Sequence, residues 1–295
     1  MRPIWCLAAA VMVGVWAFEP RIAAQKEQQI FVSITAPNGT PVTDLQAAEV
    51  SVTEDGVDCK IVKLEPVSWP IKLHVLVDNG KPNTNPINSL RDGLKALFEQ
   101  MPDGVEMSMY ATAGTPRPIV KATTDKKKLI DGISLINPDS GVGAFFDALS
   151  EAGDRIDKDK AQNFPVIVMI GSDLGRVNVP DRDFQKLQQT IRKHAVTVHI
   201  VVMGGTGGTG GGIQTELGLA LTKMTGGSYE NINSSTRLAT LLPEWGKKIA
   251  EADGRQRHQY RVTYERPANA KEQPRVGAAV RREGTPMISL DGHLP

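Results

Sequence analysis

The sequence predicts an α/β protein with a doubly wound, mainly parallel sheet that carries helices on both faces and has β segments on either side. Strand-length apolar runs alternate with amphipathic segments of helix length between residues 70 and 252. Strands that are apolar on both faces and separated by helices belong to sheets that are covered on both sides. Short β-type runs separated by turn-forming pairs make up the chain before and after this region.

Residues 1–24 have the composition of a secretory signal peptide. Arg2 precedes the apolar run Trp5–Phe18, and small residues end the segment. The run is shorter than the roughly 20 apolar residues that span a bilayer. We therefore expect cleavage after Ala24 and export to the periplasm or the cell exterior, with no membrane span in the mature chain. An uncleaved membrane anchor is the alternative.

The composition argues against several kinds of partner and site. The 295 residues include 34 Lys and Arg and 33 Asp and Glu, and the basic residues are scattered, which disfavours a nucleic-acid partner. The five histidines lack metal-ligand spacing. Cleavage of the leader would leave Cys59 alone of the two cysteines, so the mature chain could form no internal disulfide.

The pattern of residues 25–69 predicts a small antiparallel β module. Its runs IFVSITA, EVSVTED and CKIVKLEPV are separated by Asn38-Gly39 and Asp55-Gly56, pairs that tolerate positive φ. Residues 253–295 return to the same pattern in HQYRVTYER, PRVGAAVRR and TPMISL. Because the ends of an inserted domain usually lie close together, we expect the two flanks to pair into a small β-sandwich.

Between the flanks, residues 70–252 alternate strands with helices. The predicted strands are IKLHVLVD, VEMSMYATA, FPVIVMIGSD, VTVHIVVM and GGSYENI. Helices are predicted after the first strand, after Asp125 as an N-cap, from about Ala144, and over DRDFQKLQQTIRKHA, IQTELGLALTKM and STRLATLLPEWGKKIAEA. The first and third strands each end in an acid, Asp78 and Asp173.

A glycine-rich loop follows VTVHIVVM and matches the outline of a dinucleotide-binding fingerprint. The glycines are Gly205-x-Gly207-x-x-Gly210, and Glu230 follows about 20 positions later. In dinucleotide-binding folds this motif follows the first strand, whereas here several α/β strands precede it. A nucleotide-binding enzyme that uses the Gly204–Gly212 loop is therefore the less favoured alternative to a mobile surface loop.

Several segments, in order along the chain, resemble the von Willebrand factor A-type domain. The lead-in PVTDLQAAEVSVTEDGVDCKIVKLEPV is similar to that of secreted bacterial members, the related type found in Acidobacteria. GVGAFFDALSEA is similar to the segment that usually reads G-G-T-A-L-Y-D-A, with Asp147-Ala148 kept. TELGLALTKMTGGSYENI resembles the late helix, glycine turn and last strand, and HQYRVTYER the strand after them. The resemblance covers nearly the whole mature chain and implies the doubly wound fold.

The metal-ion-dependent adhesion site of the family is only partly kept. Its motif D-x-S-x-S corresponds here to Asp78-Asn79-Gly80-Lys81-Pro82, so the acid is present and both serines are absent. The family's threonine corresponds to Gly143, and its later aspartate to Ser172 or Asp173, depending on register. The resemblance thus implies a degenerate site in which Asp78 and Asp173 are the remaining metal ligands.

Metal binding at such a site is expected to be weak or absent. Two carboxylates with water can hold Mg²⁺ or Mn²⁺ weakly, with Asn79, Asn83 or Thr84 in place of the lost hydroxyls. The favoured alternative for Asp78 is a loop-capping acid. We expect no required cofactor and no enzymatic activity, because GSDLG fails the G-x-S-x-G spacing and no other catalytic set stands out.

For function, the resemblance implies protein binding or adhesion. Open α/β sheets bind ligands at the carboxyl ends of their strands, so we expect the surface to comprise Asp78–Asn83, Gly141–Gly143, Ser172–Arg176 and Gly204–Gly212. With the metal site eroded, contact with a protein partner is expected to be metal-independent. A metal-dependent adhesion module rebuilt around Asp78 is the alternative, and the sequence names neither the partner nor the oligomeric state.

Overall fold

The computed structural model describes residues 27–80, 87–175, 178–204, 212–271, 274–284 and 287–291. The predicted leader lies outside these ranges, so its cleavage and the export of the chain remain predictions. Within the described ranges, none of the helices has the length and apolar character needed to cross a membrane.

The described chain follows the predicted succession of strands and helices. Strands β1 to β3 are Glu27–Thr35, Val50–Glu54 and Val57–Val67; β4 to β9 are Ile71–Val77, Glu106–Ala111, Arg117–Thr123, Phe164–Ser172, Thr197–Met203 and Tyr229–Ile232; β10 to β12 are Gln259–Glu265, Val276–Val280 and Met287–Asp291. Helices α1 to α6 are Ile87–Gln100, Lys126–Ile133, Phe145–Lys158, Asp181–Lys193, Ile213–Thr225 and Leu238–Gln256.

Strands β4 to β9 form the central sheet, in the order β6-β5-β4-β7-β8-β9. Neighbouring strands are parallel except for β5 and β6, which are antiparallel. From β4 the chain winds outward in one direction, returns to the centre at β7 and winds outward in the other, which is the order of a doubly wound sheet. The central domain therefore has the α/β class that the sequence predicts.

Helices cover both faces of this sheet, each through its own apolar core. One core contains residues of α1, α2 and α6, including Leu94, Leu129 and Trp245. The other contains residues of α3, α4 and α5, including Leu149 and Leu187. Alternate residues of β4, β7 and β8 point into the two cores, which explains why these three strands are apolar along most of their length.

Strand β6 was not predicted. Arg117–Thr123 is largely exposed or half-buried and contains Pro118, so it lacks the apolar run that marks the other strands. It lies at the edge of the sheet, where proline and a one-sided pattern are tolerated.

The two flanks form one six-stranded sheet, in the order β11-β2-β3-β10-β1-β12. Strand β10 pairs antiparallel with β1 on one side and β3 on the other, so the flanks pair as expected. They form a continuous curled sheet in place of the two facing sheets of a sandwich, because β3 pairs with β2 through Val57–Cys59 and with β10 through Lys60–Val67. The end strands β11 and β12 approach to within 8 Å between Cα atoms. We call this the curled sheet.

The hairpin between β2 and β3 has the turn that its sequence predicts. Asp55 and Gly56 both have positive φ, +49° and +85°. A two-residue type I′ turn requires this conformation at both positions, and Asp-Gly is among the pairs that adopt it most readily. Gly39 of the other predicted pair also has a positive φ, +84°.

The curled sheet packs against the amino ends of the central strands. The ring of Phe31 in β1 lies 5.0 Å from that of Phe164, the first residue of β7, and Trp69 packs against both. Asp253, near the end of α6 and beyond the predicted boundary at 252, is 2% exposed and accepts a hydrogen bond from Ile71 N at 3.0 Å. The carboxyl ends of the central strands therefore face away from the curled sheet.

Candidate functional site

The parallel strands β4, β5, β7 and β8 end at one edge of the central sheet. The residues that directly follow them are Asp78, Thr112, Asp173 and Gly204. We call the segments that continue from these strands, together with residues 137–143 before α3, the carboxyl-edge loops. Of the surface predicted from the sequence, residues 78–80, 141–143, 172–175, 204 and 212 lie on these loops or, for Ser172, at the end of β7, and its remaining residues lie outside the described ranges.

Asp78 is the buried acid of this edge, with 2% of its surface exposed. Its N–H donates to Ile170 O at 2.8 Å, which continues the pairing of β4 with β7. Its Oδ1 accepts a hydrogen bond from Gly80 N at 2.8 Å. The carboxylate thus caps the turn that follows β4, in keeping with the loop-capping alternative.

Three glycines enclose the Asp78 carboxylate. A Cβ atom placed on Gly143 would collide with it, lying 2.5 Å from Oδ1 and closer still to Oδ2. A Cβ atom on Gly80 would lie 3.0 Å from Oδ1, and one on Gly175 would lie 3.8 Å from Oδ2. Asp78 itself therefore fills the volume in which a side chain at position 143 would begin.

Asn79 ties three loops together through its backbone and side chain. It is 3% exposed, its Nδ2 donates to Asn137 O at 2.8 Å, and its Oδ1 accepts from Ala113 N at 3.3 Å. Its backbone carbonyl accepts from Asp139 N at 2.8 Å. Both amide atoms are therefore engaged in the fold, which disfavours Asn79 as a substitute metal ligand. The other two suggested substitutes, Asn83 and Thr84, lie outside the described residues.

The end of β7 decides between Ser172 and Asp173 as the residue at the strand terminus. Ser172 is the last residue of the strand, is 2% exposed, and its Oγ accepts from Leu174 N at 3.0 Å. Asp173 lies in the following turn and is half-buried. Its carbonyl and that of Gly175 accept hydrogen bonds from Gln214 Nε2 at 3.3 and 2.8 Å. Gln214 thus joins this turn to the start of α5.

Thr112 is a buried member of the site that sequence reasoning missed. Its N–H donates to Val77 O at 2.9 Å, and its carbonyl accepts from Ala144 N at 2.8 Å, so it joins β4 to the start of α3. The residue is 0% exposed, and its Oγ1 has no hydrogen-bond partner among the described residues. No motif marks it, because its place depends on the register of β5 with β4.

The donor set around Asp78 does not fit a divalent cation well. Mg²⁺ requires a near-octahedral set of oxygen ligands. Here Oδ1 of Asp78 already accepts from Gly80 N, and Gly143 supplies no hydroxyl. The described parts of the chain contain no group of three or more His, Cys, Asp or Glu side chains that could hold a metal. Metal ligation by Asp78 and Asp173 remains a prediction.

Three exposed apolar side chains lie on the segments next to the buried Asp78 carboxylate. Val142, Leu174 and Ile213 are 45%, 52% and 54% exposed, and they lie before α3, after β7 and at the start of α5. The three segments touch: a Cβ atom on Gly175 would lie 3.1 Å from Gly143 O, and Gln214 bonds to Gly175 O. We call these three side chains the apolar rim. Sequence reasoning missed them, since only the fold brings these segments together.

The glycine-rich loop joins β8 to α5 at the same edge. Residues 205–211 of this loop lie outside the described residues, so its mobility and its contact with a nucleotide remain predictions. Gly204 N donates to Ile232 O at 2.8 Å, which fixes the start of the loop beside β9. Glu230 lies in β9, the edge strand next to β8.

Comparison with solved structures shows similarity to von Willebrand factor A-type proteins. A von Willebrand factor type A protein from Catenulispora acidiphila is 10% identical with a TM-score of 0.49, over 92% of this chain and 74% of that one. The SpRpn10 VWA domain is 13% identical with a TM-score of 0.46, over 58% and 95%. BatB from Bacteroides thetaiotaomicron is 13% identical with a TM-score of 0.45, over 62% and 99%.

The chain is similar in fold to von Willebrand factor A-type domains. The order and direction of the strands β4 to β9 agree with the doubly wound domain that this resemblance implies. At identities this low, the similarity concerns only the architecture and does not indicate which ligands the chain binds. No protein-family model and no curated protein matches the sequence. The affiliation with the type found in Acidobacteria and the degenerate metal site remain predictions.

Proposed function

We propose that this chain is an exported, non-enzymatic protein-binding module of the von Willebrand factor A type. It contacts its partner through the carboxyl-edge loops and does not require a metal ion. The observation that carries the proposal is the apolar rim, because Val142, Leu174 and Ile213 expose large apolar side chains on three touching segments of one edge. Clustered exposed apolar side chains mark interaction sites, whereas single ones are ordinary.

The position of the rim supports the same function. The curled sheet covers the amino ends of the central strands, which leaves the carboxyl edge facing outward. Ligands of open α/β sheets bind at this edge. The described parts of the loops are held by backbone hydrogen bonds and by the amide groups of Asn79 and Gln214, which lowers the entropic cost of ordering them when a partner binds.

The buried serine and histidine side chains support a non-enzymatic role. Ser172, the serine nearest Asp78 on the neighbouring strand, is 2% exposed and its Oγ is engaged by Leu174 N. The hydrogen bond between His74 Nδ1 and the hydroxyl of Ser108, at 3.0 Å, lies inside the sheet, with both residues at most 6% exposed. A substrate would reach neither pair.

Matched aspartate substitutions test the proposed surface. The immobilised mature chain is incubated with proteins released by its source organism, and captured proteins are compared between variants. We expect Val142→Asp and Leu174→Asp to abolish specific capture, because each puts a charge into an apolar contact. Val62→Asp and Leu219→Asp serve as controls, since Val62 and Leu219 are equally exposed, at 45% and 51%, and lie away from the carboxyl edge.

Two outcomes would contradict the proposal. Equal loss of capture in the rim variants and in the control variants would mean that the effect is not specific to this edge. Capture that survives both rim substitutions would place the binding surface elsewhere. Circular dichroism on all four variants checks that each remains folded. The metal-dependent and nucleotide-dependent alternatives are not favoured by any feature of the described residues.

A further inference from the structure

The Asp78 carboxylate and a side chain at position 143 compete for one volume. The three atoms nearest to a Cβ atom placed on Gly143 are Oδ2, Cγ and Oδ1 of Asp78, all at 2.5 Å or less. Contacts this short do not occur between real atoms. Asp78 is buried and its Oδ1 accepts a hydrogen bond from Gly80 N, so the carboxylate cannot move away without disrupting the turn after β4. An aspartate in the position of Asp78 therefore requires a glycine at 143.

Gly143 lies directly before the start of α3. The N-cap residue of this helix, Ala144, offers no side-chain hydrogen bond to the first turn. The first N–H groups of a helix are unpaired within it and carry a partial positive charge. The Asp78 carboxylate, seated against Gly143, places a negative charge at this end. Ala113 forms a β-bridge with Gly143, which fixes the approach of the two segments.

The segments that carry the apolar rim meet around this same carboxylate. Gly143 follows Val142, and a Cβ atom there would collide with the Asp78 carboxylate. Gly175 follows Leu174, and a Cβ atom there would lie 3.1 Å from Gly143 O and 3.8 Å from Asp78 Oδ2. The carbonyl of Gly175 also accepts a hydrogen bond from Gln214, next to Ile213. The segments that carry the three exposed apolar side chains therefore meet beside this carboxylate.

We propose that Asp78 is the positioning residue of the carboxyl-edge loops. Its carboxylate stands in the volume of the missing side chain at 143, seats the start of α3, and holds the segments of the apolar rim together without a metal ion. This role extends the proposed function but does not depend on it, because it concerns how the edge is built and not what binds there.

A double-mutant cycle on the mature chain tests the pairing of Asp78 with Gly143. We expect Gly143→Ala in the wild-type background to lower the Tm by roughly 5–10 °C, because the new methyl group collides with the carboxylate. In an Asp78→Ala background the same substitution should lower it by less than about 2 °C, since the three colliding atoms are gone. The cycle measures the coupling between positions 78 and 143 directly. A general loosening of the fold would not produce such a coupling.

Gly175→Ala is the matched control. A Cβ atom there would lie 3.1 Å from the carbonyl oxygens of Gly143 and Ser172 and only 3.8 Å from Asp78 Oδ2. Its cost should therefore be the same in both backgrounds. Equal costs of Gly143→Ala in the two backgrounds, or a harmless Gly143→Ala in the wild type, would overturn the proposal.

If Asp78→Ala fails to fold, Gly143→Ala and Gly175→Ala are compared in the wild-type background alone. Gly143→Ala should then lower the Tm by more than Gly175→Ala does, because of the two new Cβ atoms only the one at 143 would collide with the Asp78 carboxylate. A loss for Gly143→Ala that is no larger than that for Gly175→Ala would overturn the proposal. Failure of this cycle would leave the capture results for Val142 and Leu174 standing, and failure of the capture experiment would leave the cycle standing.

Discussion

At the scale of single residues, two histidines lie inside the parallel strands. His74 is 6% exposed and hydrogen-bonded to Ser108, and His199 is 7% exposed and accepts from Ser228 N at 3.1 Å. Burial, aided by nearby Lys72 and Arg155 for His74 and Lys248 for His199, lowers the pKa of each to about 4. Both side chains are therefore neutral in the folded protein at any pH well above 4.

These histidines make stability fall as the solution becomes mildly acidic. Between about pH 6.5 and pH 4 the unfolded chain takes up protons on them that the folded chain does not, so the free energy of unfolding decreases in that window. Below pH 4 the folded form is protonated as well and the loss levels off. The full loss is on the order of 3 kcal/mol for each histidine, and roughly 2 kcal/mol of it is reached by pH 5. Urea denaturation at pH 7.5 and at pH 5 measures this part.

Asparagine substitutions separate the two histidines from other acid effects. Asparagine can replace the Nδ1 hydrogen bond of either ring and does not titrate. His74→Asn and His199→Asn should each reduce the difference in unfolding free energy between pH 7.5 and pH 5, whatever they do to the stability at pH 7.5. An unchanged difference in both variants would show that other groups cause the acid sensitivity.

The residues of the site differ in how far the sequence predicts them. Asp78 follows an apolar run at a position that a motif identifies, and His74 lies within a strand pattern, so both were placed correctly at the end and in the interior of β4. Thr112 and the apolar rim were missed, because their role depends on strand register and on contacts between loops far apart in the chain. Local pattern carries no information about such contacts.

At the scale of elements, α2 offers a clear test of a feature that the sequence predicts. Asp125 Oδ1 accepts a hydrogen bond from Lys128 N at 3.3 Å, which satisfies one of the free N–H groups at the start of the helix. Asp125→Ala should lower the free energy of unfolding by about 1 kcal/mol. Chemical denaturation monitored by circular dichroism measures the change.

The same helix provides the control. Lys127 and Asp131 form an exposed ion pair, 2.6 Å apart, with side chains 82% and 62% exposed. Asp131→Ala removes an acid from the same helix but no cap, and because the pair is exposed to solvent it should cost clearly less than Asp125→Ala. An equal loss in the two variants would mean that the cap is not what Asp125 contributes.

Among the elements, the buried strands and amphipathic helices followed from the sequence, whereas β6 did not. The apolar run of β7 is buried at every position, and α3 buries the predicted Phe145, Leu149, Ala152 and Ile156. Strand β6 is specified by its antiparallel pairing with β5. Its own residues are too exposed to indicate a strand, since an edge strand takes much of its stability from its neighbour.

At the scale of the whole molecule, the curled sheet and the central domain share one apolar core. Phe31 and Val67 of the curled sheet belong to the same buried cluster as Ile71 and Phe164 of the central sheet. Asp253 ties α6 to the start of β4 beside this cluster. We therefore expect a single cooperative unfolding transition, with equal calorimetric and van't Hoff enthalpies in differential scanning calorimetry. Two resolved transitions would show that the two parts unfold independently.

The pairing of the two flanks followed from the sequence, but the shape that they adopt did not. β-type patterns on both sides of an α/β region indicated a shared sheet. Only the length of β3, which pairs with β2 and then with β10, makes that sheet continuous and curled. As a result the flanks cover the amino end of the central sheet and leave its carboxyl edge uncovered.

The most direct test of metal-independent contact at this edge is a calorimetric titration of the mature chain with Mg²⁺ and then Mn²⁺ after chelator treatment, beside Asp78→Ala. We expect no saturable heat in either protein, because Asp78 Oδ1 already accepts from Gly80 N and the carboxylate lies against Gly143. Saturable binding by the wild type that Asp78→Ala abolishes would contradict it, and would make this edge a metal-dependent adhesion site rebuilt around Asp78.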